Sequence, residues 1–335
     1  MADAPRDLFA QQESNRRQSS WLLIGFIFFF AWVGFGGDLV LYLATGDAPV
    51  GVYHHVVPFI GIAATLAASG FAWTSWAYGD KQVLWSTHAM ELVNPATDGQ
   101  QRLVNVVSEM AIASGQPMPT LYLVSDDDPN AFATGRDPQH ASLAVTDGLL
   151  TLLDRDELQA VVAHEMGHIA RYDTQLMTLV AAMVGSIALM SDGFGRYFRH
   201  GSGVGSGRVG SLGRRNSKSG GVALVVLVLW LVTLVLAPLI SRLMAMAISR
   251  KREYLADATA AQFTRNPEAL ARALEKLATA GAPTRAVGRG TAHLCIVDPG
   301  DDRVSRLRGA VGDLLSSHPP IAERVARLRA MGFAS

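Results

Sequence analysis

Cysteine is nearly missing from this chain: Cys295 stands alone, which excludes an internal disulfide and any cysteine-rich zinc cluster. A metal, if there is one, has to be held by histidines and carboxylates. Charge is scarce too. Only 17% of the 335 residues are charged, and 29 basic residues face 29 acidic ones, so no global field draws a nucleic acid or another polyanion. That class of partner is set aside. Mean hydropathy is positive, which is unusual for a soluble protein of this length and points to a membrane before any motif is read.

What is present in quantity is long apolar sequence. A spanning helix needs about 20 mostly apolar residues to cross roughly 30 Å of hydrocarbon. Two N-terminal runs meet this, from about Trp21 to Tyr42 and from about Val56 to Tyr78. Asp38 sits near the far end of the first, and Trp73, Trp76 and Tyr78 cluster like interfacial anchors at the end of the second. The first run is read as a span rather than a cleaved signal peptide, because it is long and no small-residue cleavage site follows it. Arg6, Arg16 and Arg17 precede it, while Thr45 to His55 carries no Lys or Arg. Basic residues favour the cytoplasm, so the N-terminus and the region after Tyr78 are expected inside and the short connection outside.

Two further runs follow, Thr174 to Ser191 and Ser219 to Ser241, joined by a Gly/Ser-rich stretch that reads as flexible linker. The third run is either a short span or a buried core helix. The basic linker residues Arg196, Arg199, Arg208, Arg214, Arg215 and Lys218 argue against export, although two full crossings would place them outside. The chain thus divides into 1–78, a tail and two spans; 79–173, the first part of a soluble domain; 174–241, the later apolar pair; and 242–335, its second part. Thr120 to Val124 and Ser142 to Thr146 read as strands. Helical periodicity marks Gln100 to Ser114, Arg155 to Tyr172, Pro267 to Ala280 and Pro320 to Met331. The expected class is mostly α, α+β, in a multi-spanning membrane protein.

HEMGH, His164 to His168, carries the chemistry. Residues four apart share a helix face, so both imidazoles can reach one ion while Glu165, one step round, reaches a water on it. Asp154 with Glu157 forms a capping pair at the start of that helix, and Leu158, Val161, Val162 and Ile169 supply its apolar contacts. A chance match to this pattern in a chain of this composition has a probability on the order of 1%. An apolar helix also tolerates incidental buried histidines poorly. A catalytic zinc keeps three protein ligands, so one more donor is needed. His54, His55, His88, His140, His200, His293 and His318 form no second close pair on an apolar helix. Glu253 and Asp257, one turn apart among small residues, serve better. Glu253 would be the ligand, with Asp257 accepting a hydrogen bond from a ligating histidine. The plainer alternative is a pair of solvated helix carboxylates matched with Arg250 or Lys251.

HEMGH followed by REYLAD (Arg252 to Asp257) resembles the HtpX family of membrane-bound zinc metalloproteases, relatives of the CAAX prenyl endoproteases. NAFATG (Asn130 to Gly135), TAHLCIVDP (Thr291 to Pro299) and SHPPIAERVARL (Ser317 to Leu328) extend the likeness over nearly the whole chain. The resemblance implies a zincin-type (gluzincin) catalytic domain with one Zn2+ per chain on His164, His168 and Glu253. It implies Glu165 as general base, Asp257 behind a ligand, and Asn130 and His318 near the zinc as oxyanion donors. The strand around Ala131 to Ala133 would pair with substrate backbone. From their own sequence context, Asn130 after Pro129 is a turn residue and His318 before Pro319 a helix start. The implied activity is endoproteolysis of membrane or misfolded polypeptides at the cytoplasmic face of a bacterial inner membrane, in protein quality control under stress. The alternatives are a dedicated processing protease for a lipidated or other specific peptide, and a non-enzymatic zinc-binding membrane adaptor.

Overall fold

A computed structural model describes residues 8–45, 57–183, 250–280, 294–296 and 319–332, together with 228, 230 and 232. The chain forms two compact units. One gathers Met1–Ser19, Ser75–Ala182 and Met244–Ser335, and the other Ser20–Thr74 and Met183–Leu243.

The second unit is built on helices α1 (Leu8–Thr45) and α2 (Phe59–Ser86), which pass through it. Among the described residues these two, as Ala10–Tyr42 and Phe59–Ser86, are long and apolar enough to cross a membrane. Small residues let them meet. A Cβ at Gly34 would stand 2.7 Å from Ala64 Cβ, and one at Gly61 would stand 2.3 Å from the Phe35 ring, so the helices touch backbone to side chain there. Asp38, a charge inside an apolar run, has a defined task. Its carboxylate accepts from Gly61 N at 2.6 Å and Ile60 N at 3.3 Å, so it caps the first turn of α2, where N–H groups lack helical partners. Trp230 donates its indole N–H to Val33 O at 2.8 Å.

The first unit is α+β. Its sheet has the order β1 (Met90–Glu91), β2 (Thr120–Val124), β4 (Ala141–Thr146), β3 (Ala131–Gly135), with the β2/β4 pair parallel and the other two antiparallel. Helices α3 (Asp98–Ser114), α4 (Asp147–Leu152) and α5 (Arg155–Ala170) come from the same stretch of chain. Helices α6 (Arg250–Thr264), α7 (Pro267–Thr279) and α8 (Ile321–Gly332) return to pack with them. The core is laid down by Leu103, Val106, Leu143, Leu158, Val161, Met166, Leu270 and Leu274, all buried.

Helix α5 starts where the sequence places it. Asp154 Oδ1 accepts from Glu157 N at 2.9 Å, and Glu157 Oε2 accepts from Asp154 N at 3.0 Å, closing the capping box. It ends at Ala170, and two residues on Tyr172, with a φ of 60°, turns the chain sharply. A new helical stretch, 173–183, follows at once. This is the described part of the third apolar run, and it is buried: Leu176, Met177, Leu179 and Val180 are each at most 7% exposed. The rest of that run, the Gly/Ser linker and nearly all of the fourth run lie outside the described residues.

Candidate metal centre

Helix α5 is buried on every side, which is why its polar residues stand out: His164, Glu165 and His168 are all at most 4% exposed. Helix α6 lies against it. Gly167 permits the approach, since a Cβ there would already sit 3.3 Å from Thr259. Across that contact α6 presents Glu253 and Asp257, 1% and 2% exposed.

Four ring nitrogens and three carboxylates then arrange themselves in two layers. In the inner layer, His164 Nε2 and His168 Nε2 are 3.2 Å apart, His164 Nε2 is 3.8 Å from Glu253 Oε2, and His168 Nε2 is 3.6 Å from Glu253 Oε1. In the outer layer, His164 Nδ1 lies 3.0 Å from Asp257 Oδ1 and His168 Nδ1 lies 3.1 Å from Asp173 Oδ2. A carboxylate accepts only, so Asp173 and Asp257 each favour the tautomer with the proton on Nδ1 and a lone pair on Nε2 turned inward. Two lone pairs and a carboxylate facing one another, away from water, are a poor arrangement without a cation. A tetrahedral zinc with bonds of 2.0 to 2.1 Å sets its ligand atoms about 3.4 Å apart, and the three separations here bracket that value. The donor set fits a zinc ion, and His164, His168 and Glu253 are the residues that could hold it.

The charges respond to this crowding. Burial pushes His164 down to about 4, against the pull of Asp257. Burial disfavours the charged form of His168 as well, but Asp173 and Glu253 outweigh it and the net shift is upward. Glu165 is pushed up to about 7, chiefly by burial and further by Glu253, while His168 and the Ala133 N–H act against the rise. Its Oε2 accepts that N–H at 3.0 Å, which ties it to β3. Asp257 is also buried, yet Arg324 and His164 hold it down to about 2. Arg324, 1% exposed, donates to both Asp257 oxygens at 2.7 and 2.9 Å and lies 3.6 Å from Glu253 Oε2.

The structure thus brings His164, Glu165, His168, Glu253 and Asp257 together. Asn130 is buried at the start of β3, bonded to Thr146 through its backbone, and its side-chain oxygen accepts from Ala131 N at 3.0 Å. His318 lies outside the described residues. Two members of the cluster escaped sequence reasoning, Asp173 and Arg324. An acidic residue just past the end of the HEMGH helix was a readable signal for the first. Nothing local marked the second, whose partner is 67 positions away.

The outward row of β3 is occupied from within. Ala131 N, Ala133 N and Gly135 N donate to Asn130 Oδ1, Glu165 Oε2 and Thr178 Oγ1, and Ala131 O accepts from Ile296 N at 3.1 Å. An edge strand normally offers such groups to another chain.

Comparison with known proteins gives the family. Residues 98–332 match the profile of peptidase family M48. A protease HtpX homolog of Dictyoglomus turgidum is 36% identical over 328 residues, covering 98% of this chain and 96% of that protein. The homolog of Thermoanaerobacter pseudethanolicus is 41% identical over 261 residues, 78% of this chain and 81% of that one. Among solved structures, a crystal structure of S. mikatae Ste24p aligns at 20% identity and a TM-score of 0.43, with 95% of this chain and 66% of that chain covered. A profile match over most of the sequence, joined to relatives this similar over nearly its full length, settles the family: the chain belongs to peptidase family M48, with the HtpX proteases.

Proposed function

We propose that this protein is a membrane-bound, zinc-dependent endopeptidase. The observation that carries the reading is the convergence of two histidine Nε2 atoms and Glu253 at zinc-like separations, each imidazole aimed by a carboxylate behind it. Zinc bound there would polarise the scissile carbonyl and bring the acidity of a bound water near neutrality. Glu165 is the base. Its carboxyl, one step round the helix from His164, would take a proton from the attacking water and return it to the leaving amine. Substrate backbone pairs with the β3 edge, which requires Glu165 to release Ala133 N and the Ile296 N–H to release Ala131 O. Asn130 and His318 are assigned to the oxyanion, a role worth a few kcal/mol in other hydrolases. Asp257 aims His164.

The membrane assignment rests on α1 and α2, whose apolar stretches leave large side chains such as Trp21, Phe28, Trp32 and Leu66 at least half exposed. Polypeptides of the membrane, including misfolded ones, are the proposed substrates, in quality control at the cytoplasmic face of a bacterial inner membrane. A buried acid beside the first histidine favours this over an adaptor that merely keeps a structural zinc, which needs no base.

Glu165→Gln and Glu253→Ala test the reading together. The first keeps size and removes basicity, so zinc should stay near one equivalent while cleavage of an unfolded casein-like substrate falls by about 10²-fold or more. The second removes an inner oxygen and should weaken both zinc binding and cleavage. Parent-like zinc retention in Glu253→Ala would mean the third ligand is misassigned. Undiminished cleavage by Glu165→Gln would refute the base.

A further inference from the structure

The geometry points to Asn15, on the part of α1 that precedes the first apolar run, as a positioning residue for the metal ligand His168. The inference rests on the proposed zinc site and adds to it a residue that the metalloprotease motif does not contain.

Asn15 is 6% exposed. Its Nδ2 donates to Asp173 Oδ1 at 2.7 Å and to Arg171 O at 2.8 Å. Both partners can only accept, so chemistry fixes which end of the amide faces them, and both of its hydrogens are used. The other oxygen of Asp173 meets His168 Nδ1 at 3.1 Å. A carboxylate turns easily about its last bond, since that torsion is broad. Asp173 is kept from turning on its Oδ1 side by Asn15 and by Arg252 Nε 3.7 Å away, and its Oδ2 also accepts from Arg171 Nε at 3.5 Å. With Oδ1 held, Oδ2 keeps the proton on His168 Nδ1 and leaves Nε2 pointing at Glu253 and His164. The same amide closes Arg171 O, just past the end of α5, where carbonyls lack helical donors.

Neighbouring contacts separate positioning from mere tethering. Gln12, one turn earlier on α1, donates to Ala170 O at 2.7 Å, again at the end of α5. Gln18 Oε1 accepts from Arg252 Nη2 at 2.6 Å. Gln12 and Asn15 therefore both fasten α1 to α5, but of the two it is Asn15 whose bond reaches Asp173.

The test uses the full chain in detergent and measures zinc affinity by competition with a chelator, with metal-free melting recorded alongside. Asn15→Ala keeps a good helix former and should bind zinc roughly 10-fold to 100-fold more weakly, the size expected when a ligand loses its outer support. Asn15→Asp keeps the size but sets an acceptor against two acceptors, and should lose at least as much. Gln12→Ala should stay within about twofold of the parent. The visible spectrum of the cobalt-loaded protein, which reports ligand geometry, should change in Asn15→Ala and not in Gln12→Ala. Parent-like affinity and spectrum in both Asn15 variants, with melting lowered as in Gln12→Ala, would make Asn15 a tether and overturn the inference alone. A parent that binds no zinc would instead overturn the metal site on which it rests.

Discussion

Arg324 is the residue on which the metal-free site depends most. It is fully buried between Asp257, which it grips through two nitrogens, and Glu253, 3.6 Å away. Removing one partner of a buried pair leaves the other charged and unsolvated, at a cost of about 3 to 5 kcal/mol. Arg324→Met should therefore lower the melting temperature of the chelator-treated protein, and added zinc should restore part of the loss by supplying positive charge. The pH dependence has a defined sign. Asp257 is depressed to about 2, so its contribution is present above the ordinary carboxylate range and fades as pH falls toward that value. Without Arg324 the depression shrinks and acid destabilisation begins at higher pH. Melting curves from pH 3 to 7 that overlay parent and variant would contradict this account. Arg324 could not be read from the sequence because its meaning lies in contacts distant along the chain, with Asp257 and Glu253 of α6 and with the Ile296 carbonyl.

The elements were legible where a pattern repeats and silent where it does not. Helices α3, α5 and α7 begin and end within a few residues of the positions that helical periodicity predicts, and strands β2 and β4 coincide with short apolar, β-branched runs next to turn residues. β3 has no such signal. Ala131–Gly135 is buried at every residue, so it shows no alternation, and its alanines and glycine have little strand preference. It entered the sequence reading only through family likeness. Gly135 shows what sets its end. Its φ is 137°, a region open essentially to glycine, and a Cβ there would stand 2.4 Å from His140 O. Gly135→Ala should cost about 1 to 3 kcal/mol from backbone strain, and more from the clash. Since Gly135 N also bonds Thr178 Oγ1, the shift should spread along the edge strand and reduce cleavage along with stability. Thermal unfolding of the variant at the parent's temperature would show that this turn yields freely.

At the scale of the whole molecule, the ends of two helices make the proposed membrane orientation testable. At 38 residues, α1 is about 57 Å long, well beyond a hydrocarbon thickness. Its first turns, through Gln12 and Asn15, bond the end of α5 within the unit that holds the metal ligands. The last turns of α2 belong to that unit as well, with Val83 and Leu84 packed on Phe132 and Ala144. The basic residues Arg16 and Arg17 belong to the stretch of α1 in this unit, while Thr45 to His55 has none, and this charge pattern is the ground for the proposed cytoplasmic orientation. His164 and Glu253 share one site, so the chain between them returns to the side it left, whatever route residues 184–249 take. This makes a joint prediction for two exposed positions far apart in sequence. Cysteines placed at Gln101 and at Ala330 should both be modified by an impermeant maleimide in inverted membrane vesicles and both be protected in intact cells. The native Cys295 is 1% exposed and should contribute little background. Labelling of both from outside would reverse the orientation, and labelling from opposite sides would break the shared site itself.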